Sequence, residues 1–443
     1  MKKGNFILFV LIGFTIFSIN TSCNFINAKA DAYPTLLKRS DTTSISTEFK
    51  TLEDLYTKYT NNLKQDSNDD LSRIKLVELY ISEARISGNL SYYHEASLKS
   101  LNTLIAKKTV TKDVLYKALT YKATILLSLH QFTDAKIIAT QALAMNPYDA
   151  DIYGALVDAN VELGNYQQAV VLCDKMMTIR PDIRSYSRIS YLRQIMGDNV
   201  GAISAMRMAV ESGAQGLENT EWARVQLGDL YLNTGHADTA KMLYESSIYV
   251  RPNYPYAEMG LAKVASAQNQ IDTAIIHCKN AIRAMSESSF VSYLGELYKK
   301  KGDTKKANEI HHDVLKLVLE GEKENETKTF AKHNGHRELA NAYLYTQQFD
   351  EALKHAKQDY QLRPQNIDAN ELMAWVYFLR NENASAKSHI EKALSTNSQN
   401  ATLIYKASLI YEALGEKELS QEMKSKALTI YSSLPTENFI AVK

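Results

Sequence analysis

The stretch WARVQLGDLYLNTGHADTA, Trp222 to Ala240, decides how the rest of the chain is read. It reads as a helix, a turn and the start of a second helix, yet Gly228 stands in the middle of the first. Glycine in a helix interior costs about 1 kcal/mol relative to alanine. The choice recurs at LGELY, Leu294 to Tyr298, with Gly295. Two unrelated helices seldom share so costly a residue, so the glycines mark a repeated unit.

A fixed ruler brings out the unit. Twelve residues separate Gly228 from Ala240, and the same interval links Gly295 to Ala307, Ala262 to Ala274, Ala340 to Ala352 and Ala374 to Ala386. It also links Ala123 to Ala135, Val157 to Ala169, Ser190 to Ala202 and Ser408 to Ser420. Tyr231, Tyr298, Tyr343, Tyr377 and Tyr411 stand three residues after their anchors, and Pro147, Pro181, Pro252 and Pro364 close units twelve residues after the second anchor. Second anchors are mostly 33 or 34 residues apart, with turn signals such as LGNY, MGDN and KKGD between the anchors.

These slots resemble the tetratricopeptide repeat, most closely at Ile152 to Pro181 and Trp222 to Pro252. The resemblance covers roughly residues 113 to 434; it departs from the family pattern in mostly lacking the first aromatic and in placing Asn160 and Arg193 in tyrosine slots. It implies an all-α fold, a right-handed superhelical solenoid of stacked antiparallel helix pairs. A small anchor lets the second helix approach to about 8–10 Å. On this reading Gly228 faces Ala240, a bulky side chain at Gly228 destabilises the stack, and Asp229 varies freely. No unit buries its apolar face alone, so stacking makes one continuous core.

The domain expectations follow: a signal peptide over 1–22, a flexible tether over 23–47, N-terminal helices with a divergent capping repeat over 48–112, and a first array over 113–320. A polar insertion at 321–332, read as solvated, separates it from a second array over 333–434 and a tail over 435–443. Lys2 and Lys3 precede the uncharged run Phe6 to Ile19, too short at 14 residues for a spanning helix and suited to an export signal. INTSC, ending at Cys23, resembles the lipobox of bacterial lipoproteins, although Asn20 stands where leucine is usual. The resemblance implies lipidation of Cys23 and a membrane-anchored lipoprotein on the periplasmic or cell-surface side of the cell envelope. Cleavage at the Ala28-Lys29-Ala30 pattern to give a secreted protein, or an uncleaved anchor, are the alternatives.

The formal net charge of +1 gives no global pull toward nucleic acid. No Walker loop, G-x-S-x-G, H-E-x-x-H or dinucleotide fingerprint is present. No enzyme activity, cofactor or metal is expected. The densest histidine group is His311, His312, His333 and His336; ordinary packing is its expected role, and a metal-dependent enzyme the least favoured reading. Cys173 and Cys278 occupy one slot three units apart, too far for a disulfide, and are expected as free buried thiols.

Stacked hairpins coil around a concave face. In the family the first helix of each unit lines it, with exposed positions one residue after the anchor and three or six before. That maps onto Asp158, Tyr191, Asp229, Lys263, Glu296, Asn341 and Trp375, joined by Trp222, Tyr256 and Arg337. Trp and Arg are favoured at binding hot spots. The function expected is a non-enzymatic scaffold for a protein or peptide ligand, acting in assembly of a cell-envelope complex; a glycan-binding outer-membrane lipoprotein is the alternative.

Overall fold

The structure is a computed structural model that describes residues 33–39, 46–434 and 436. The apolar run, Cys23 and nearly all of the 435–443 tail lie outside the described residues. The chain divides into two compact units, Met1–Thr35 and Leu36–Lys443, and every described helix belongs to the second.

Among the described residues α1 (Ser46–Gln65) precedes ten helical hairpins, and no strand occurs. The first five are α2 (Asp70–Ser87) with α3 (Leu90–Ala106), α4 (Lys112–Ser128) with α5 (Phe132–Met145), α6 (Ala150–Glu162) with α7 (Tyr166–Ile179), α8 (Ile183–Ile195) with α9 (Asn199–Glu211), and α10 (Glu218–Asn233) with α11 (Ala237–Val250). The second five are α12 (Pro255–Ala267) with α13 (Ile271–Ala284), α14 (Ser288–Lys300) with α15 (Thr304–Thr327), α16 (His336–Tyr345) with α17 (Phe349–Leu362), α18 (Ile367–Leu379) with α19 (Asn383–Ala393), and α20 (Ala401–Ala413) with α21 (Lys417–Ile430). The molecule is an all-α helical repeat solenoid. Every first anchor of the ruler lies in the first helix of a pair and every second anchor in the second helix.

Local chemistry starts and stops these helices. Asp69, Thr111, Asp149, Asp198, Asp303, Asn366 and Asn400 accept from backbone amides of the first turn, and Asp182 forms a capping box with Ser185. Pro147, Pro181, Pro252 and Pro364 each stand two residues beyond a helix end, where they cannot continue it. Inside each of the nine hairpins that carry ruler anchors the turn passes through one left-handed residue, seven after the first anchor. It is glycine at Gly164, Gly197, Gly235, Gly302 and Gly415, and His130, Asn269, Gln347 or Asn381 elsewhere.

Close packing at the anchors corrects one expectation. Over Gly228 lies the ring of Tyr244, not Ala240: a Cβ at Gly228 would meet that ring at 2.5 Å. Gly260 on α12 faces the same ring, also at 2.5 Å, so Tyr244 is seated between two glycines of neighbouring first helices. The Tyr244 hydroxyl donates to Asp229 at 2.9 Å, so Asp229 is tied to the core and not free to vary. At Gly295 the corresponding ring is His311. Cys173 and Cys278 are free and buried, and burial pushes their thiols up to about 11 and about 12.

Two segments read as loose are packed. Within the span read as a tether, Arg39 is buried and its guanidinium clamps Glu83 of α2 at 2.6–3.1 Å and Glu48 of α1 at 2.6 Å. Arg251, beyond α11, reaches Glu48 at 2.9 Å and completes a network of two arginines and two glutamates. The span read as a solvated insertion instead lengthens α15 to Thr327 and then docks: the backbone amides of Thr329, Phe330 and Ala331 donate to the Glu95 carboxylate of α3. Ala331 is 2 % exposed, set among Ile74, Val77, Leu98 and Leu101.

Further contacts join residues about 200 apart. The Ile367 amide donates to the Tyr166 hydroxyl at 2.8 Å, Asn366 donates to the Val161 carbonyl, and Arg363 bridges Asp359 and Glu162 at 2.6–2.8 Å. At Gly164 and Gly197 the backbone of residues 365–366 and of Asn397 lies where a Cβ would stand. One turn of the solenoid thus rests on the next, about six units on. No described helix is long and apolar enough to cross a membrane.

Candidate binding site

In six of the nine adjacent pairs the first helices touch each other (α2 with α4, α4 with α6, α6 with α8, α8 with α10, α10 with α12, α18 with α20), whereas second helices of adjacent pairs make at most marginal contact throughout, as do the first helices from α12 to α18. The first helices therefore line the inner side of the solenoid.

One stretch of that inner side gathers polar groups from two turns. Arg188 on α8 crosses to α6 and pairs with Asp158 through two hydrogen bonds of 2.6 and 2.9 Å. It also donates to the Gly154 carbonyl, and its Cζ lies 3.0 Å from where a Gly154 Cβ would stand. Gly154 leaves room for the crossing. Asp151 pairs with Arg180 and Arg184. From the later turn, Arg337 approaches Asp368 at 3.8 Å.

Tyr191 belongs to this cluster. It is 43 % exposed and lies near Asp368, Glu162 and Arg337. Burial raises the carboxyls of Glu162 and Asp368, against the pull of Arg363 on the former and Arg337 on the latter. Asp158, Tyr191 and Arg337, three positions from the ruler, come together here.

The others separate. Trp222 lies under the Arg85 guanidinium, 5.5 Å from its centroid, and Arg85 pairs with Glu218. Tyr256 donates to Glu287 at 2.7 Å and packs edge-on against Tyr254 and Phe290. Asp229 holds Lys263 at 3.2 Å as well as Tyr244. Glu296 lies 3.4 Å from His311, whose ring stacks on Tyr345. Asn341 is exposed. Trp375 is 8 % exposed, covered by Lys406 and stacked on Phe378, so its ring surface is spent on packing.

The sequence reading passed over Arg188, Glu162 and Asp368. Asp368 was within reach, because it stands six residues before Ala374. Arg188 and Glu162 fall outside the positions the family pattern marks, and only the crossing at Gly154 and the contact with Arg363 bring them in. The histidine group also disperses: His311 packs beneath α16, His312 is exposed, His336 meets His355 at 3.3 Å, and His333 meets His130.

A helical repeat solenoid with an inward polar face defines the class. Within it, residues 126–193 and 223–254 match models of the tetratricopeptide repeat. No curated protein sequence matches the chain. Among solved structures it is similar to PilW, described as a widely conserved type IV pilus biogenesis factor, at 14 % identity and a TM-score of 0.39, covering 45 % of this chain and 92 % of that one. It is also similar to the APC/C hetero-tetramer Cut9-Hcn1, at 16 % identity and a TM-score of 0.41 over 83 % of this chain and 74 % of that one. A third is a tetratricopeptide repeat protein from Parabacteroides merdae, at 18 % identity and a TM-score of 0.33 over 59 % and 96 %.

Proposed function

We propose that the protein is a non-enzymatic scaffold that holds a protein or peptide segment against the inner face of its solenoid, exported to the cell envelope and anchored through a lipid on Cys23. The observation that carries the reading is the cluster of Asp158, Arg188, Tyr191, Arg337 and Asp368. It combines an exposed tyrosine and a loosely held arginine with fixed carboxylates, and Tyr and Arg supply much of the binding energy at interfaces. Bidentate Arg188 cannot be released cheaply, whereas Arg337 at 3.8 Å from Asp368 can re-pair with a ligand carboxylate.

Capture of partners from envelope extracts tests this. Tyr191→Ala and Arg337→Ala are expected each to lower recovery of a specific partner at least about tenfold, the loss of one hot spot, with unchanged melting. Equal recovery by both variants removes the inner face as the binding surface. For the anchor, fatty-acid labelling is expected in the wild type and absent in Cys23→Ser; label-free wild type at the membrane refutes it.

A further inference from the structure

The α4–α5 turn and the segment between α15 and α16 bring together three groups remote in sequence. One ring nitrogen each of His130 and His333 and one carboxylate oxygen of Glu338 lie within 4.8 Å of one another. The two rings are 4.6 Å apart between centroids, and His130 Nδ1 is 3.7 Å from Glu338 Oε1. The second Glu338 oxygen is buried with no hydrogen-bond partner among the described residues. We propose that His130, His333 and Glu338 form a site for a transition-metal dication of the zinc class, clasping one turn of the solenoid to the next.

The donor set suits that ion. Two imidazoles and a carboxylate bind zinc at about 2.0–2.2 Å, with a fourth position left for water or another donor. Ligand atoms around such an ion stand about 3.3 Å apart, so donor atoms now within 4.8 Å of one another assemble the site by closing up to about 1.5 Å. Both imidazoles bind in the neutral form. His130 and Glu338 keep about a third of their side-chain surface exposed, at 31 % and 33 %, so an ion can enter from solvent.

The backbone is already arranged for a clasp. The Asn334 amide donates to the Leu129 carbonyl at 3.0 Å, and Gln131 donates to the Lys332 carbonyl. His130 holds the left-handed turn position with φ of 55°. Bound metal would add a cross-link between segments about 200 residues apart and stabilise the folded form by mass action.

The full-length protein, stripped with a chelator, is titrated with Zn²⁺ by calorimetry, and with Co²⁺ to read the visible bands of a four-coordinate N/O site. One ion per chain and a rise in Tm are expected. His333→Gln, in a loop, is expected to abolish both. His130→Asn should do the same without straining the turn, since Asn269 and Asn381 occupy the same register with positive φ. A His336→Gln/His355→Gln double variant should retain both. Absence of stoichiometric binding, or binding that survives in His130→Asn and His333→Gln, or is lost in the double variant instead, overturns the proposal.

Discussion

Gly228 shows how a residue's cost is settled by what lies over it. The helix loses about 1 kcal/mol of propensity there, and the vacated volume admits the Tyr244 ring. The pattern extends along the ruler. Sixteen residues after a glycine anchor stands a ring, Tyr244 or His311, whereas three of the four alanine anchors, Ala123, Ala262 and Ala340, are followed at that interval by Ala139, Cys278 and Ala356; Ala374 is followed by Ile390. Small-plus-large and medium-plus-small fill the same gap. Gly228→Ala is expected to lower stability by about 1–3 kcal/mol through overpacking, despite alanine's better propensity. Combined with Tyr244→Leu the loss should be less than additive in urea unfolding. A neutral Gly228→Ala would mean that the ring is not seated there.

At the scale of elements, the hairpins were legible and the docking of the irregular segments was not. Anchors, turn residues and prolines place each helix pair because each acts within its own unit. The segment following α15 reads as polar and exposed because its partners on Glu95 are backbone amides, which leave no trace in side-chain pattern. Glu95→Ala is expected to speed hydrogen exchange at Thr329, Phe330 and Ala331 while α18–α21 keep their protection. Unchanged exchange at those amides would show that Ala331 packing alone holds the segment. The candidate site divides in the same way. The ruler puts Tyr191 and Arg337 among the inward positions, but the packing of Trp375 beneath Lys406 depends on the next unit's side chain.

At the scale of the whole molecule, seams between turns bury polar and titratable groups that an open array leaves wet. Burial lowers the pKa of His94 and His333, which interact across a seam, and of His311, His336, His355 and His389, which pack within or between neighbouring hairpins. His94 falls to about 4 from 6.5, and His333 adds to the effect of burial. A depressed histidine contributes stability that is present above 6.5 and is lost as pH falls toward the folded value, because the unfolded chain takes up the proton first. The raised carboxyls of Glu162, Glu296 and Asp368 act in the opposite sense, losing their contribution as pH rises through their folded values. His94→Gln separates the two: between pH 7 and pH 5 its unfolding free energy should fall by about 2 kcal/mol less than that of the wild type. An identical pH dependence would show that His94 titrates normally.

The sequence by itself determined the repeat: its length, its two helices, its turn residue and its small anchors. Each of these is fixed by interactions within about 34 residues, so each recurs wherever the unit does. Only the tertiary structure decided which anchors meet rings, which inward side chains stay available, and where one turn rests on another. Those outcomes depend on the rotation accumulated over about six units, which brings Glu162 to Arg363, Glu95 to Ala331 and His130 to His333. Small rotations per unit sum to set that register, and no single unit encodes it.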